Sequence, residues 1–521
     1  MAVDLDAAKA ALDVAHSVVE SGTKKLAAGS IDDQQVLAYD LAHAAAAVRA
    51  GESMLEYAAK GDLEAKLTVA FIADVIADVS SRLLGREELW GVSTGSLDSA
   101  HGFAATYRDP AFLSALALED GPRHLDEDFI PVQDVFRKFA DEKIKPLAEG
   151  VHRSNGDIPE ELIQGLAELG VFGMSVPEEY EGFSSGGENE YLGMIVATEE
   201  LSRGSLGIGG SLITRPEILT RALVAGGTEE QKQEWLPKLA SAEVMAAVAV
   251  TEPDYGSDVA GIKVAATKTD GGWLINGTKT WCTFAGRADV LMLLARTDAD
   301  RSLTHKGLSL FVVPKEQAPG HEFDFTAENG GTMSGRAIDT IGYRGMHSYE
   351  VAFENWFVPD ANLVGGEAGL GKGFFMQMAG FENGRLQTAA RAVGVMQAAY
   401  EAAREYAGAR HVFGNAVGDY QLTQVKLARM AFMIQACRQF SYEVGRLMAK
   451  GEGVMEAAMV KAYACRAAEW VTREAMQIHG GFGYAEEYVV SRYFVDARVL
   501  SIFEGADETL CLKVIARRLN G

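Results

Sequence analysis

The residues best able to do chemistry lie near the end of the chain, between Gln477 and Glu508, in the stretch QIHGGFGYAEEYVVSRYFVDARVLSIFEGADE. Glu504 stands between an apolar run, Val499 to Phe503, and a segment that opens with Asp507 and Glu508 and closes with Arg517 and Arg518. That order of charges suits a helix dipole, so the last segment reads as a helix and Glu504 as a carboxylate on the hinge before it. A carboxylate on an apolar hinge is a candidate general base. The local sequence by itself favours the plainer reading, an ordinary exposed glutamate in a turn. Upstream, Gly480, Gly481 and Gly483 would let a planar or phosphorylated ligand approach the backbone amides, since no Cβ stands in the way.

Other motifs exclude other chemistries. The loop GEAGLGKGF, from Gly366, approaches a phosphate-binding Walker motif, but Gly373 follows Lys372 where a hydroxyl residue is needed for Mg²⁺. Nucleotide triphosphate hydrolysis is therefore not expected. Cys282, Cys437, Cys465 and Cys511 lie far apart without metal spacing, so they are expected to be buried thiols, and no metal is expected. A net charge of −25 argues against nucleic acid or an anionic membrane as partner. Phosphates would have to be met by helix N-termini, glycine amides and a few placed arginines. The acidic start, MAVDLDAAKAALDV, lacks a basic leader, and no apolar run approaches a membrane span, so a cytoplasmic location is expected.

The run from Gln477 through Gly480-Gly481-x-Gly483-Tyr484 to Glu487, with Arg492 and Asp496 behind it and Phe503-Glu504-Gly505 after it, resembles the C-terminal signature of the flavin-dependent acyl-CoA dehydrogenases. Two further stretches, AVTEPDYGSD from Ala249 and KTWCTFAGRADV from Lys279, resemble that family's flavin loops. The resemblance implies FAD as cofactor. It places Thr251 at the pyrimidine edge, Thr283 at N5 and Trp281 as the aromatic wall, with Val248, Val250, Gly256 and Ser257 completing the pocket. An isoalloxazine ring needs these group types, because its charge develops along one edge and its face needs cover. Tyr255, where the family usually has a small residue, departs from the pattern.

Further along, Arg410, Phe413 and Gln421 match positions that hold the adenine and diphosphate end of FAD across a dimer, together with Gln477, Gly480 and Gly481. Ala506 and Glu508 fall on cofactor positions as well, and Ala506 replaces a hydroxyl residue. Ser257, Glu382, Asn383, Gly384, Arg385 and Gly505 match the CoA and acyl channel. Some relatives carry the catalytic carboxylate at the position of Gly384; glycine cannot serve, which leaves Glu504. The implied reaction is α,β-dehydrogenation of an acyl-CoA thioester, with Glu504 as base, hydride transfer to flavin N5 and an electron-transferring flavoprotein as acceptor. Arg215, Arg221 and Arg391 would form a cationic end wall, which suits a branched dicarboxylic acyl group, because arginine meets a carboxylate with two parallel donors. The alternatives are another short-chain or dicarboxylic acyl-CoA dehydrogenase, an acyl-CoA oxidase using O₂, and a non-catalytic flavin or CoA binding protein.

These residues need a multidomain scaffold, and a chain of 521 residues is long enough for roughly three or four domains. Residues 1–105 are Ala-rich with helical spacing and form an extension that the family usually lacks. Residues 119–244 read as a helical domain, 245–364 as a β barrel or sandwich and 365–521 as a four-helix bundle. The strings Ala59-Lys60-Gly61-Asp62 and Ala449-Lys450-Gly451-Glu452, each flanked by helices, suggest a worn repeat of a helix pair. If the extension copies the bundle helices, it would cover in cis a face that relatives use to form tetramers, so a homodimer is expected.

Overall fold

The computed structural model describes residues 3–521. The chain forms two compact units: Met1–Pro131 with Thr388–Gly521, and Val132–Gln387.

Taken in chain order, the extension supplies α1 (Leu5–Ala27), α2 (Gln35–Ala58), α3 (Asp62–Leu83) and α4 (Asp98–Tyr107). Asp4 caps α1 by accepting the Ala7 amide, and Lys24 and Lys25 close it, as the dipole favours. Helix α2 buries residues on nearly every side, which its alanines allow without crowding. The second unit contains α5 (Glu188–Gly204), α6 (Thr214–Gly226) and α7 (Glu229–Ala240). It also contains eight strands: β1 (Ala246–Ala249), β2 (Ala265–Thr269), β3 (Gly272–Thr283), β4 (Val290–Arg296), β5 (Leu308–Pro314), β6 (Glu322–Thr326), β7 (Thr332–Ile338) and β8 (Ser348–Pro359). The chain passes back to the first unit within α8 (Gly373–Ala409), followed by α9 (Gln421–Ala449), α10 (Val454–His479) and α11 (Val490–Leu500).

The eight strands form one mixed sheet in the order β1-β4-β2-β3-β8-β7-β6, with β5 against β4. Strands β1 and β4 pair in parallel, while β3–β8 and β4–β5 are antiparallel. Ile218, Leu219 and Leu223 of α6 and Trp235 and Leu236 of α7 share a core with Val248, Val290, Met292 and Val312 of the sheet. A capping box of Thr228 and Gln231 starts α7, and the Gln231 amide donates to the carbonyls of Ala361 and Leu363 at 2.7 Å each, tying helix to sheet end. The glycine cluster between Leu206 and Gly210 is buried. A Cβ on Gly207 would lie 2.3 Å from the Arg344 carbonyl oxygen, so that glycine serves close packing.

In the first unit, α2 packs against α1, α3, α9 and α10. Phe71 of α3 meets Phe432 and Tyr463 edge-on at 6.3 and 6.0 Å, and Arg429 of α9 reaches Asp74 at 2.9 Å. The two strings of the suggested repeat do join long helices, α2 to α3 and α9 to α10. Their backbones differ, for Gly61 is extended whereas Gly451 has φ +76°. Among the described residues, no helix is long and apolar enough to cross a membrane.

Candidate active site

The expected site residues divide between the two units. In the second, β1 leads into a loop that closes on itself: Glu252 and Tyr255 exchange both backbone hydrogen bonds at 3.0 Å. The Glu252 carboxylate then accepts the amides of Lys263 and Val264 at 2.7 and 2.8 Å, so the loop is pinned at both ends. Val248 and Val250 are buried beneath it, whereas Gly256 and Ser257 are exposed at its tip. Tyr255 fits this turn by lying beside Lys263, whose Nζ is 5.0 Å from the ring centre.

The second loop grows from a fault in β3. Its register against β8 shifts between Lys279 and Cys282, and Trp281 sits in that bulge with φ +56°. A bulge re-aims a side chain that alternation would bury. The Trp281 indole is accordingly 54% exposed, whereas Cys282 and Thr283 are buried. Thr283 Oγ1 lies 2.9 Å from Ser348 Oγ, and the Phe284 amide donates to the His347 carbonyl at 2.8 Å. The Thr280 amide donates to the Thr251 carbonyl at 2.8 Å, which holds the two loops side by side. An exposed indole beside two threonines fits a flat heteroaromatic ring such as a flavin.

A buried pair missed in the sequence underlies both loops. Lys279 Nζ donates to the Val250 carbonyl at 2.8 Å and to Glu252 at 3.0 Å, and is fully buried. Burial pushes the lysine down to about 8, although Glu252 pulls the other way. The folded protein thus gives up this proton at lower pH than the unfolded chain. Its penalty is full below pH 8 and is relieved between there and the ordinary lysine pKa. The Tm of wild type relative to Lys279→Met is expected to rise by a few degrees from pH 7 to pH 9.5, read by thermal melts. A constant difference would show that Lys279 keeps its proton.

Also in the second unit, Asn383 and Gln387 of α8 both donate to Glu217 of α6, Gln387 at 2.5 Å. Burial pushes the Glu217 carboxyl up. Arg221 pairs with Glu217 at 3.1 Å and with Glu190, and lies 5.2 Å from the Tyr191 ring centre. Its charge is met within the helix layer by these two carboxylates. Arg215 is buried on the same helix, and Glu382, Gly384 and Arg385 follow one another on α8.

In the first unit, α11 ends at Leu500, and the turn that follows bends sharply at Glu504, φ +54°, and Gly505, φ +97°. A non-glycine residue in that region is strained and persists where its surroundings hold it. Lys461 of α10, buried, donates to the Gly505 carbonyl at 2.6 Å, and the Asp507 amide donates to the Ser501 carbonyl at 3.0 Å. Burial lowers the Lys461 pKa, with Asp507 and Glu504 among the groups that oppose the shift. Arg391 of α8, fully buried, lies 4.8 Å from the ring centre of Phe503 and donates to Thr388 at 2.6 Å. The last segment starts at Asp507 as expected, and it contains a π turn over Leu510–Ile515. Ala506 and Glu508 line a cleft of about 440 Å³ with Tyr39, Arg466, Arg498 and Asp507.

The remaining candidate cofactor residues lie near the ends of α8 and α10 and the start of α9. Tyr406 stacks on His479 at 4.2 Å, and Arg410 lies 5.8 Å from the Phe482 ring centre, so Arg410 meets the Gly480–Tyr484 turn. Two residue pairs, β9 (His411–Val412) and β10 (Asn415–Ala416), form a hairpin with Phe413 at its tip, φ +50° and 98% exposed. Gln421 begins α9, and Gln477, Gly480 and Gly481 are exposed. No atom lies within 4 Å of where a Cβ on Gly480 or Gly481 would stand, which leaves their amides approachable by phosphate.

The sequence matches the acyl-CoA dehydrogenase N-terminal domain over residues 126–243, the middle domain over 247–356 and the C-terminal domain over 371–520. It is 44% identical over 400 residues to (2S)-methylsuccinyl-CoA dehydrogenase of Cereibacter sphaeroides, covering 77% of this chain and 71% of that one. The fold is similar to that of a glutaryl-coenzyme A dehydrogenase in complex with glutaryl-CoA, with TM-score 0.68, 31% identity and coverage of 75% and 95%. It is also similar to a glutaryl-CoA dehydrogenase from Mycobacterium smegmatis in complex with FADH2, with TM-score 0.67, 27% identity and coverage of 76% and 95%.

Proposed function

The chain belongs to the acyl-CoA dehydrogenase family, FAD-dependent oxidoreductases acting on CH–CH bonds, and from that premise we propose that it oxidises (2S)-methylsuccinyl-CoA to mesaconyl-CoA with Glu504 as base. The observation that carries the assignment of the base is the turn itself: a carboxylate on a left-handed residue whose neighbour's carbonyl is held by a buried lysine. Glu504 takes the α-proton of the thioester and holds it. The Glu504 amide would donate to the thioester oxygen, where negative charge develops. Bound FAD supplies the acceptor for the β-hydride, and an electron-transferring flavoprotein then takes the electrons. Thr251 would hold the pyrimidine edge, Thr283 the N5 region, and Trp281 the ring face. The adenosine end would lie on Arg410, Phe413, Gln421, Gln477, Gly480 and Gly481 of a second copy in a homodimer.

The dicarboxylate is supported by the 44% identity to the enzyme from Cereibacter sphaeroides and by Arg215 on α6. Anaerobic mixing with methylsuccinyl-CoA is expected to bleach the flavin band near roughly 450 nm faster than mixing with succinyl-CoA or butyryl-CoA. Faster bleaching by butyryl-CoA would overturn the substrate assignment and leave the family reaction standing. In air, an oxidase would form peroxide in step with product, whereas the proposed enzyme needs an added acceptor.

A further inference from the structure

The N-terminal extension reaches the base turn. Tyr39 and His43 stand one turn apart on α2, with rings edge-on at 4.8 Å, and both meet the same carboxylate oxygen of Asp507. The Tyr39 hydroxyl donates to Asp507 Oδ2 at 2.6 Å, and His43 Nε2 lies 3.0 Å from it. Cys511 Sγ is 3.4 Å from His43 Nε2, and His43, Asp507 and Cys511 are all buried. Asp507 is three residues beyond Glu504 and begins the closing helix. Its amide returns to Ser501, so the residues from Ser501 to Asp507 form one closed turn with Glu504 on it.

This contact differs from the other ties of the extension to the C-terminal helices, such as Asp32–Lys513 and Asp74–Arg429, which join residues away from that turn. Here the bond falls on Asp507, whose amide closes the turn around the strained residue, while Lys461 holds the same turn through the Gly505 carbonyl. A strained φ persists only where the surrounding structure over-determines it. Burial favours a neutral imidazole at His43, and although burial opposes it, hydrogen bonds from His43 and Tyr39 hold the Asp507 carboxyl below its ordinary range. A neutral imidazole donating Nε2–H, with the tyrosine O–H, satisfies that oxygen without an ion.

From this geometry we infer that Tyr39 and His43 are positioning residues for the catalytic turn, acting through Asp507, and that the extension is therefore a working part of the active site. The inference rests on Glu504 as the base.

Tyr39→Phe, which keeps the ring, is expected to slow anaerobic flavin reduction about tenfold, with KM within twofold and Tm nearly unchanged. The double variant of Tyr39→Phe with Asp507→Asn is expected to be no slower than Asp507→Asn alone, since both act through one contact. Hydrogen exchange of the peptide spanning residues 500–512 is expected to quicken in Tyr39→Phe, with α9 and α10 unchanged. That arm needs no substrate, so it decides the inference even where no acyl-CoA bleaches the wild type, a result that would sink the proposed function instead. Unchanged exchange and rate in both Tyr39→Phe and His43→Gln would overturn the positioning role. So would loss of activity on chelation with recovery on Zn²⁺ in the wild type but not in His43→Gln, because His43, Asp507 and Cys511 would then hold the metal.

Discussion

Glu504→Gln is expected to lower kcat about 10³-fold while the protein still binds FAD and melts within a degree or two of wild type. The amide fills the same space and cannot take a proton. The turn is held by backbone contacts, Lys461 to the Gly505 carbonyl and the Asp507 amide to Ser501, and neither involves the Glu504 side chain. Both contacts remain in the variant, so the fold is expected to stay intact. Glu504→Asp keeps the charge but withdraws it by one methylene, and misplacement on that scale costs roughly a hundredfold. Gln, Asp and wild type should thus rank in that order from slowest to fastest in flavin reduction, with substrate Kd little changed. Full turnover by Glu504→Gln would place the base elsewhere.

The second large effect separates three arginines. Arg215→Gln is expected to lower kcat/KM for methylsuccinyl-CoA about a hundredfold and for butyryl-CoA less than threefold, because a charge-assisted bond to a substrate carboxylate contributes about 1.5–3 kcal/mol. Arg391→Gln should slow both substrates alike, since Arg391 lies against Phe503, next to Glu504, and is fully buried. Arg221→Gln should act on stability first, for it leaves Glu217 and Glu190 without their cation in a buried layer. Steady-state kinetics on the two thioesters, with a thermal melt for each variant, read all three. Equal losses on both substrates for Arg215→Gln would remove it from the substrate site.

The family was legible in the order of residues along the chain, and with it a candidate site. The Glu504 hinge, the two loops around Thr251 and Trp281, and the Arg410-x-x-Phe413-Gly414 hairpin are local: residue type and short spacing specify them, and period-2 and period-3.6 patterns mark the strands and helices that carry them. Even the exposure of Trp281 was foreseeable only as a role, because the bulge that turns it outward depends on register with β8. What the fold alone decided was which distant groups meet. Lys279 reads locally as a strand lysine, Arg221 as a free cation, and Tyr39 and His43 as two residues of an alanine-rich helix. Lys279 is buried against Glu252, Arg221 is neutralised by Glu217 and Glu190, and Tyr39 and His43 hold Asp507 from more than 460 positions away in the chain. Burial is a property of packed neighbours, and although Glu217 stands only four positions from Arg221, Glu190, Glu252 and Asp507 lie far along the chain from the residues they meet.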